Sequence, residues 1–133
     1  MFFYVVFIIA LVELSEGARP PKHDPRCDKS VEITSGCSNP SWQLKKDPKT
    51  CISTCTTGAP FSTKVTCDGV CRTSEVCRAP RAVSSCTDTF TVFYYDETSG
   101  SCLRDDAACS YSGNNFPDKK ECETTCGVKK GQV

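Results

Sequence analysis

The sequence predicts a small disulfide-rich α+β protein of two similar modules, each a twisted β-hairpin followed by a short C-terminal helix, with the first module contracted. Three observations lead there. Twelve cysteines in a 133-residue chain exceed the share that marks a disulfide scaffold, and their even number behind an apolar leader reads as six bridges. They fall into two groups of six: Cys27, Cys37, Cys51, Cys55, Cys67 and Cys71, then Cys77, Cys86, Cys102, Cys109, Cys122 and Cys126. The groups end alike, because Phe61 precedes Cys67 and Cys71 at the same spacing that separates Phe116 from Cys122 and Cys126. That is an internal repeat.

Residues 1–17 read as a signal peptide. The run from Met1 to Val12 has no charged side chain and is too short for a bilayer, which needs about 20 residues. Ser15-Glu16-Gly17 offers small residues for cleavage near Gly17–Ala18. A buried amphipathic helix is excluded, since the run has no polar face. Cleavage removes Glu13 and Glu16 and no base, leaving 16 Lys+Arg against 14 Asp+Glu, a formal charge of +2. So small an excess does not argue for nucleic acid or an anionic membrane as a main partner, and neither is expected. The mature chain is expected to be secreted, extracellular and monomeric, with no membrane anchor.

Residues 18–26 form a Pro-rich basic tail, expected to be extended and mobile, and it holds the single histidine, His23. The first module spans residues 27–71. Its hairpin is expected within residues 38–50, around Trp42 and Leu44, where Pro40 and Pro48 should leave it short or distorted. Thr63 is placed to cap its helix. Residues 72–76 are a linker too short for independent swinging. The second module spans residues 77–126. Residues 89–95 are β-branched and aromatic, with Phe90, Val92 and Tyr94 on one face and Thr91, Phe93 and Tyr95 on the other. A turn at 96–100 and a shorter return strand at 101–104 complete the hairpin. Asp118 then caps a helix, with Glu121 three residues on as a capping box. Residues 127–133 read as a polar tail. A module of about 50 residues buries too little apolar surface to fold alone, and cross-links replace the missing core.

The second module has the gaps C-x8-C-x15-C-x6-C-x12-C-x3-C, with Phe93-Tyr94-Tyr95, Gly100 and Asn114-Asn115-Phe116 between them. In these features it resembles the Kunitz family of bovine pancreatic trypsin inhibitor type, departing only in a third-to-fourth gap of six residues rather than seven. The first module, with gaps of 9, 13, 3, 11 and 3, resembles a contracted relative. Spacing alone does not choose among the disulfide connectivities. The resemblance implies first-to-sixth, second-to-fourth and third-to-fifth pairing: Cys27–Cys71, Cys37–Cys55 and Cys51–Cys67, then Cys77–Cys126, Cys86–Cys109 and Cys102–Cys122. Tandem, irregular modules behind such a leader look most like salivary proteins of blood-feeding ticks, in which the family blocks coagulation or related host proteases.

The resemblance further implies inhibition by binding. A rigid, substrate-like loop pinned by the second-to-fourth disulfide would enter a protease and fill its S1 pocket with the P1 side chain. P1 would be Thr87 in the second module, within the loop Val83-Ser84-Ser85-Cys86-Thr87-Asp88-Thr89-Phe90, and Ser38 in the first. Thr87 cannot reach the acidic group at the base of a trypsin-like S1 pocket. Asp88 adds a charge that docking must desolvate. Ala107 and Ala108 stand where the family keeps glycines before the fourth cysteine, and Ser84 replaces another. Asp88, Asp105 and Asp106 form a possible acidic rim, Arg19, Lys22 and Arg26 a possible basic arm, and Phe90 an interface anchor or a hairpin residue.

Enzymatic activity is not expected, because His23 has no positioned Ser or Cys partner. The C-x3-C pairs suit zinc as well as disulfides, but the oxidising compartment favours disulfides, so neither metal nor cofactor is expected. The sequence has neither an N-glycosylation sequon nor an Arg-Gly-Asp tripeptide. The function expected is that of a secreted Kunitz-type serine-protease inhibitor directed at host haemostatic or defence proteases. The rival is a non-inhibitory Kunitz-derived protein that binds an ion channel, a receptor or a platelet factor.

Overall fold

In the computed structural model, residues 20–81 and 85–128 are described. The leader and residues 129–133 therefore lie outside the described residues, as do Arg19, Val83 and Ser84. The chain forms β1 (Ser41–Lys46), β2 (Lys49–Thr54), α1 (Lys64–Cys71), β3 (Phe90–Asp96), β4 (Ser101–Ala108) and α2 (Lys119–Cys126), with 3-10 turns at Pro25–Asp28 and Ser74–Arg78. Among the described residues β1 pairs with β2, and β3 with β4, as two separate antiparallel hairpins. This is the expected small disulfide-rich α+β architecture.

The sequence repeat is also a structural repeat. In the first half Trp42 and Phe61 exchange both backbone hydrogen bonds (2.7 and 3.1 Å), and in the second Phe93 and Phe116 do the same (2.8 and 2.7 Å). Each of these bridges carries a phenylalanine, Phe61 or Phe116, into its own core, where 2% and 0% of it remain exposed. Each burial contributes about 2–3 kcal/mol. Thr63 Oγ1 accepts from the Thr66 amide, and an Asp118 carboxylate oxygen accepts from the Glu121 amide, so each helix starts on a side-chain cap. Each helix buries its cysteine face. Cys67 and Cys122 bond to Cys51 of β2 and Cys102 of β4, while Cys71 and Cys126 reach back to Cys27 and Cys77 in the 3-10 turns. Cys37–Cys55 and Cys86–Cys109 complete the six. The separations run from 16 to 49 residues, and in the chain-entropy account a loop of that size contributes roughly 3–4 kcal/mol.

The first hairpin is short, one of the two alternatives expected, and undistorted: its register is unbroken from Ser41↔Thr54 to Lys46↔Lys49, and it runs on to Thr54, beyond residues 38–50. Pro40 precedes β1 and Pro48 sits in the two-residue turn, so neither leaves a gap in the ladder. The irregular hairpin is the second, where the register shifts between Phe90 and Val92, and β4 continues to Ala108 rather than stopping at Arg104. That bulge restores the pairing of Phe90 with Ala108 beyond it. Finally, the described part of the N-terminal tail is tied down. Asp24 caps the Pro25–Asp28 turn, and the Lys22 carbonyl accepts from Arg72 at 2.8 Å. At the other end, Gly127 caps α2, and Val128 packs on the second core, so the polar tail begins after them.

Arg72 joins the two halves. It follows α1 in the left-handed conformation (φ 53°), where α2 uses Gly127 (φ 70°). Its guanidinium, with a 7% exposed side chain, donates to Glu121 Oε1 (3.0 Å) on α2 and to the Tyr111 carbonyl (3.0 Å), besides Lys22. A backbone bond from the Gly113 amide to the Gly69 carbonyl (2.7 Å) lies alongside. An arginine held at φ 53° is costly where glycine is not. The clamp offsets that strain.

Candidate functional site

Residues 85–89 are exposed throughout, and Thr87 and Asp88 form a bend between two fixed points. One is the Cys86–Cys109 disulfide, which ties the loop to the end of β4. The other is Phe90. It is 7% exposed and packs with Val92, Ala108 and Tyr111, its ring 4.4 Å from that of Tyr111. Phe90 is thus a mostly buried hairpin residue that anchors the loop from below.

Arg81 braces the approach to the loop. Its guanidinium donates to Asn115 Oδ1 (3.0 and 2.6 Å) and to Asp105 Oδ2 (2.8 Å) and lies 4.0 Å above the Tyr94 ring. Asn115 Nδ2 in turn donates to the Ser110 carbonyl at 3.0 Å. Charge, stacking and hydrogen bonds converge on a half-buried guanidinium. The Ala107 amide and then Arg81 hold the Asp105 carboxyl below the usual carboxylate range. Arg104, followed by Thr91, does the same for Asp106. The acidic rim is therefore largely neutralised: Asp105 faces Arg81 and Asp106 faces Arg104. Asp88, exposed beside Thr87, remains as the charge at the loop tip. Arg81, Tyr111 and Asn115 are the supporting residues that sequence reasoning missed. In the sequence Asn115 stands out only as a family match, and nothing in the pattern distinguishes Arg81 from the neighbouring Arg78.

In the first half Ser38 holds the matching place, exposed directly after Cys37 of the Cys37–Cys55 bridge. Gly36 precedes it at φ 107°, a conformation that favours glycine. Cys55 follows β2 directly, as Cys109 follows β4. The contraction is taken up in strand length, six residues against eight, while the bridge keeps its position at the strand end.

The other candidate groups fall elsewhere. His23 Nε2 lies 2.7 Å from Asp28 Oδ2, and Lys46 Nζ bonds the other oxygen of the same carboxylate, so the histidine belongs to an ion-pair cluster. Arg26 pairs with Asp24 and lies 5.0 Å above the Phe61 ring. The basic arm is partly engaged with its own module. The cysteines of all three C-x3-C pairs (Cys51/Cys55, Cys67/Cys71 and Cys122/Cys126) are oxidised to partners outside the pair. No helix among the described residues is long and apolar enough to cross a membrane.

Residues 76–127 match the model of the Kunitz/bovine pancreatic trypsin inhibitor domain. The chain is 39% identical over 71 residues to protein AMBP of Pleuronectes platessa, an alignment covering 53% of this chain and 20% of that protein. It is 31% identical over 72 residues to the inter-alpha-trypsin inhibitor of Capra hircus, covering 53% and 58%. The chain thus spans between a fifth and just over half of the length of these two relatives. A solved structure of the complex between SmCI and human carboxypeptidase A4 aligns with 80% of this chain and 73% of that chain, at 21% identity and a TM-score of 0.35. The match at 76–127 begins at Val76, which is buried in the second core, and ends at Gly127, which caps α2. The likeness to the Kunitz/bovine pancreatic trypsin inhibitor domain thus takes in the second hairpin, its core and α2.

Proposed function

We propose that this chain is a secreted, non-catalytic inhibitor of a serine protease, of host haemostasis or defence, acting through residues 85–89 with Thr87 as P1. The observation that carries the reading is an exposed loop pinned from both sides, by Cys86–Cys109 and by the buried Phe90. Such pinning removes most of the ordering cost that a flexible substrate has on binding. Six disulfides suit an extracellular setting. The relatives named inter-alpha-trypsin inhibitor, aligned over 53% of this chain, support the same class. A small P1 residue suits a shallow, elastase-like S1 pocket better than a trypsin-like one.

A second reading has its own support. Asp88 beside P1, and Ala107 and Ala108 behind the loop, favour a Kunitz-derived binding protein aimed at an ion channel, receptor or platelet factor. The two readings separate in one experiment. Residues 18–133 are refolded and titrated against trypsin, chymotrypsin, elastase, thrombin and factor Xa, alongside the Thr87→Arg variant. Inhibition predicts stoichiometric loss of one activity by the parent. It also predicts trypsin binding by Thr87→Arg about 10- to 100-fold tighter than by the parent, the worth of one charge-assisted contact. A silent panel with no gain from Thr87→Arg rejects inhibition in favour of the second reading.

A further inference from the structure

The first half carries a surface feature that shares no residue with the loop at 85–90. Residues 31–34 run extended beside the first hairpin, fixed there by two buried polar side chains. Gln43 accepts from the Val31 amide (2.8 Å) and donates to its carbonyl (2.9 Å). Thr54 Oγ1 accepts from the Thr34 amide (3.0 Å) and donates to the Glu32 carbonyl (2.7 Å). Gln43 and Thr54 are 3% and 1% exposed. Because side chains act as spacers, the segment is held off β1 and β2 rather than packed onto them. A cleft of about 570 Å³ stays open, lined by Val31, Ile33, Leu44 and Ile52, with Lys45 and Lys46 at its rim. Val31 and Ile33 both line it, as the two-residue period of an extended chain requires. Ile33 is left 61% exposed, one of three such large apolar side chains among the described residues.

Isolated exposed apolar residues need no explanation. Here an exposed isoleucine stands on a cleft held open by satisfied, buried polar groups, and the rim has a charge. Two of the lining residues are lysines, Lys45 and Lys46, against a single lining carboxylate, Asp28, which is already bonded to Lys46 and His23. The rim is net positive after that pairing. An apolar floor under a cationic rim complements an apolar anchor flanked by carboxylates.

We propose that this cleft is a docking site for an acidic protein segment that carries one aliphatic or aromatic anchor residue. The anchor would sit on Leu44 and Ile52 against Ile33, and the flanking carboxylates would meet Lys45 and Lys46. The site is independent of the inhibitory reading.

The test uses the full mature chain and a fluorescein-labelled peptide of Asp and Glu residues around one Phe, followed by fluorescence anisotropy at low and at physiological ionic strength. Saturable binding is expected, weakened about tenfold or more by Ile33→Asp, Ile33→Ser or Lys45→Glu and unchanged by Thr87→Arg. All three cleft substitutions are at exposed positions, and unchanged circular dichroism checks that they fold. Equal binding of a peptide with Ser in place of Phe would overturn the anchored site and leave only charge attraction. Indifference to the cleft substitutions would overturn it as well. So would binding of sodium laurate without binding of the peptide, which would make the cleft a site for a small amphiphile.

Discussion

Replacing Arg72 tests whether the two halves form one unit. Arg72→Ala removes three hydrogen bonds from one buried guanidinium, to Glu121, Tyr111 and Lys22. Bonds made by charged donors contribute about 1.5–3 kcal/mol each and ordinary ones about 1. Glu121 keeps a second cation in reach, because Lys49 Nζ lies 3.8 Å from the same oxygen, with its pKa pushed down by burial. Allowing for that rescue, the expected loss is about 2–4 kcal/mol. Backbone strain adds a sharper test. Ala keeps the cost of φ 53° and Gly does not, so Arg72→Gly should be about 1 kcal/mol less harmful than Arg72→Ala. The assay is guanidinium chloride unfolding with disulfides intact, joined to hydrogen exchange at the Gly113 amide, which bonds across the halves to Gly69. Faster exchange at Gly113 should accompany the loss. A change under about 0.5 kcal/mol for Arg72→Ala, with Gly113 protection unchanged, would refute the clamp, and equal losses for Ala and Gly would refute the strain argument.

Two further outcomes follow from the loop's supports. Phe90→Ala should cost about 3–5 kcal/mol by opening a cavity against Tyr111 and Val92. It should also weaken any binding through residues 85–89 while leaving peptide binding at the first-half cleft intact, read by thermal unfolding and titration together. The folded Asp105 carboxyl lies below its unfolded value of about 3.9. Its contribution is therefore complete above that pH and is lost as pH falls through the folded value. Asp105→Asn should accordingly be less stable than the parent near neutrality and converge with it in strong acid. Parallel stability curves across the acid range would show that the Ala107 amide and Arg81 do not hold this group ionised.

Local grammar made much of the fold legible. Thr63 and Asp118 announce the helix starts, the shared Phe-to-Cys spacing announces the repeat, and the aromatic run in β3 announces the second hairpin. These signals lie within a few residues of what they specify, so they survive any tertiary context. The prolines signal a short hairpin, but whether they distort it depends on their register: Pro40 and Pro48 flank β1, outside its six paired positions. The length of β4 was hidden for a related reason: a bulge between Phe90 and Val92 shifts the pairing, and neither strand carries a glycine there to mark it.

The site was legible only as a position. Cysteine order places Thr87 and Ser38 next to their bridges, but the polar and aromatic contacts beside the second loop come from three segments. Arg81 precedes the loop, Asp105 lies on β4, and Tyr111 and Asn115 lie between β4 and α2. No periodicity connects these positions, because their meeting is a property of the folded hairpin and not of any local run. The clamp shows the same limit. In sequence Arg72 is an unremarked base after a cysteine, and only its left-handed backbone, at the place where α2 ends on Gly127, reveals that its side chain was worth the strain. Long-range polar contacts of this kind join the two halves, so the sequence repeat describes each half better than it describes the chain.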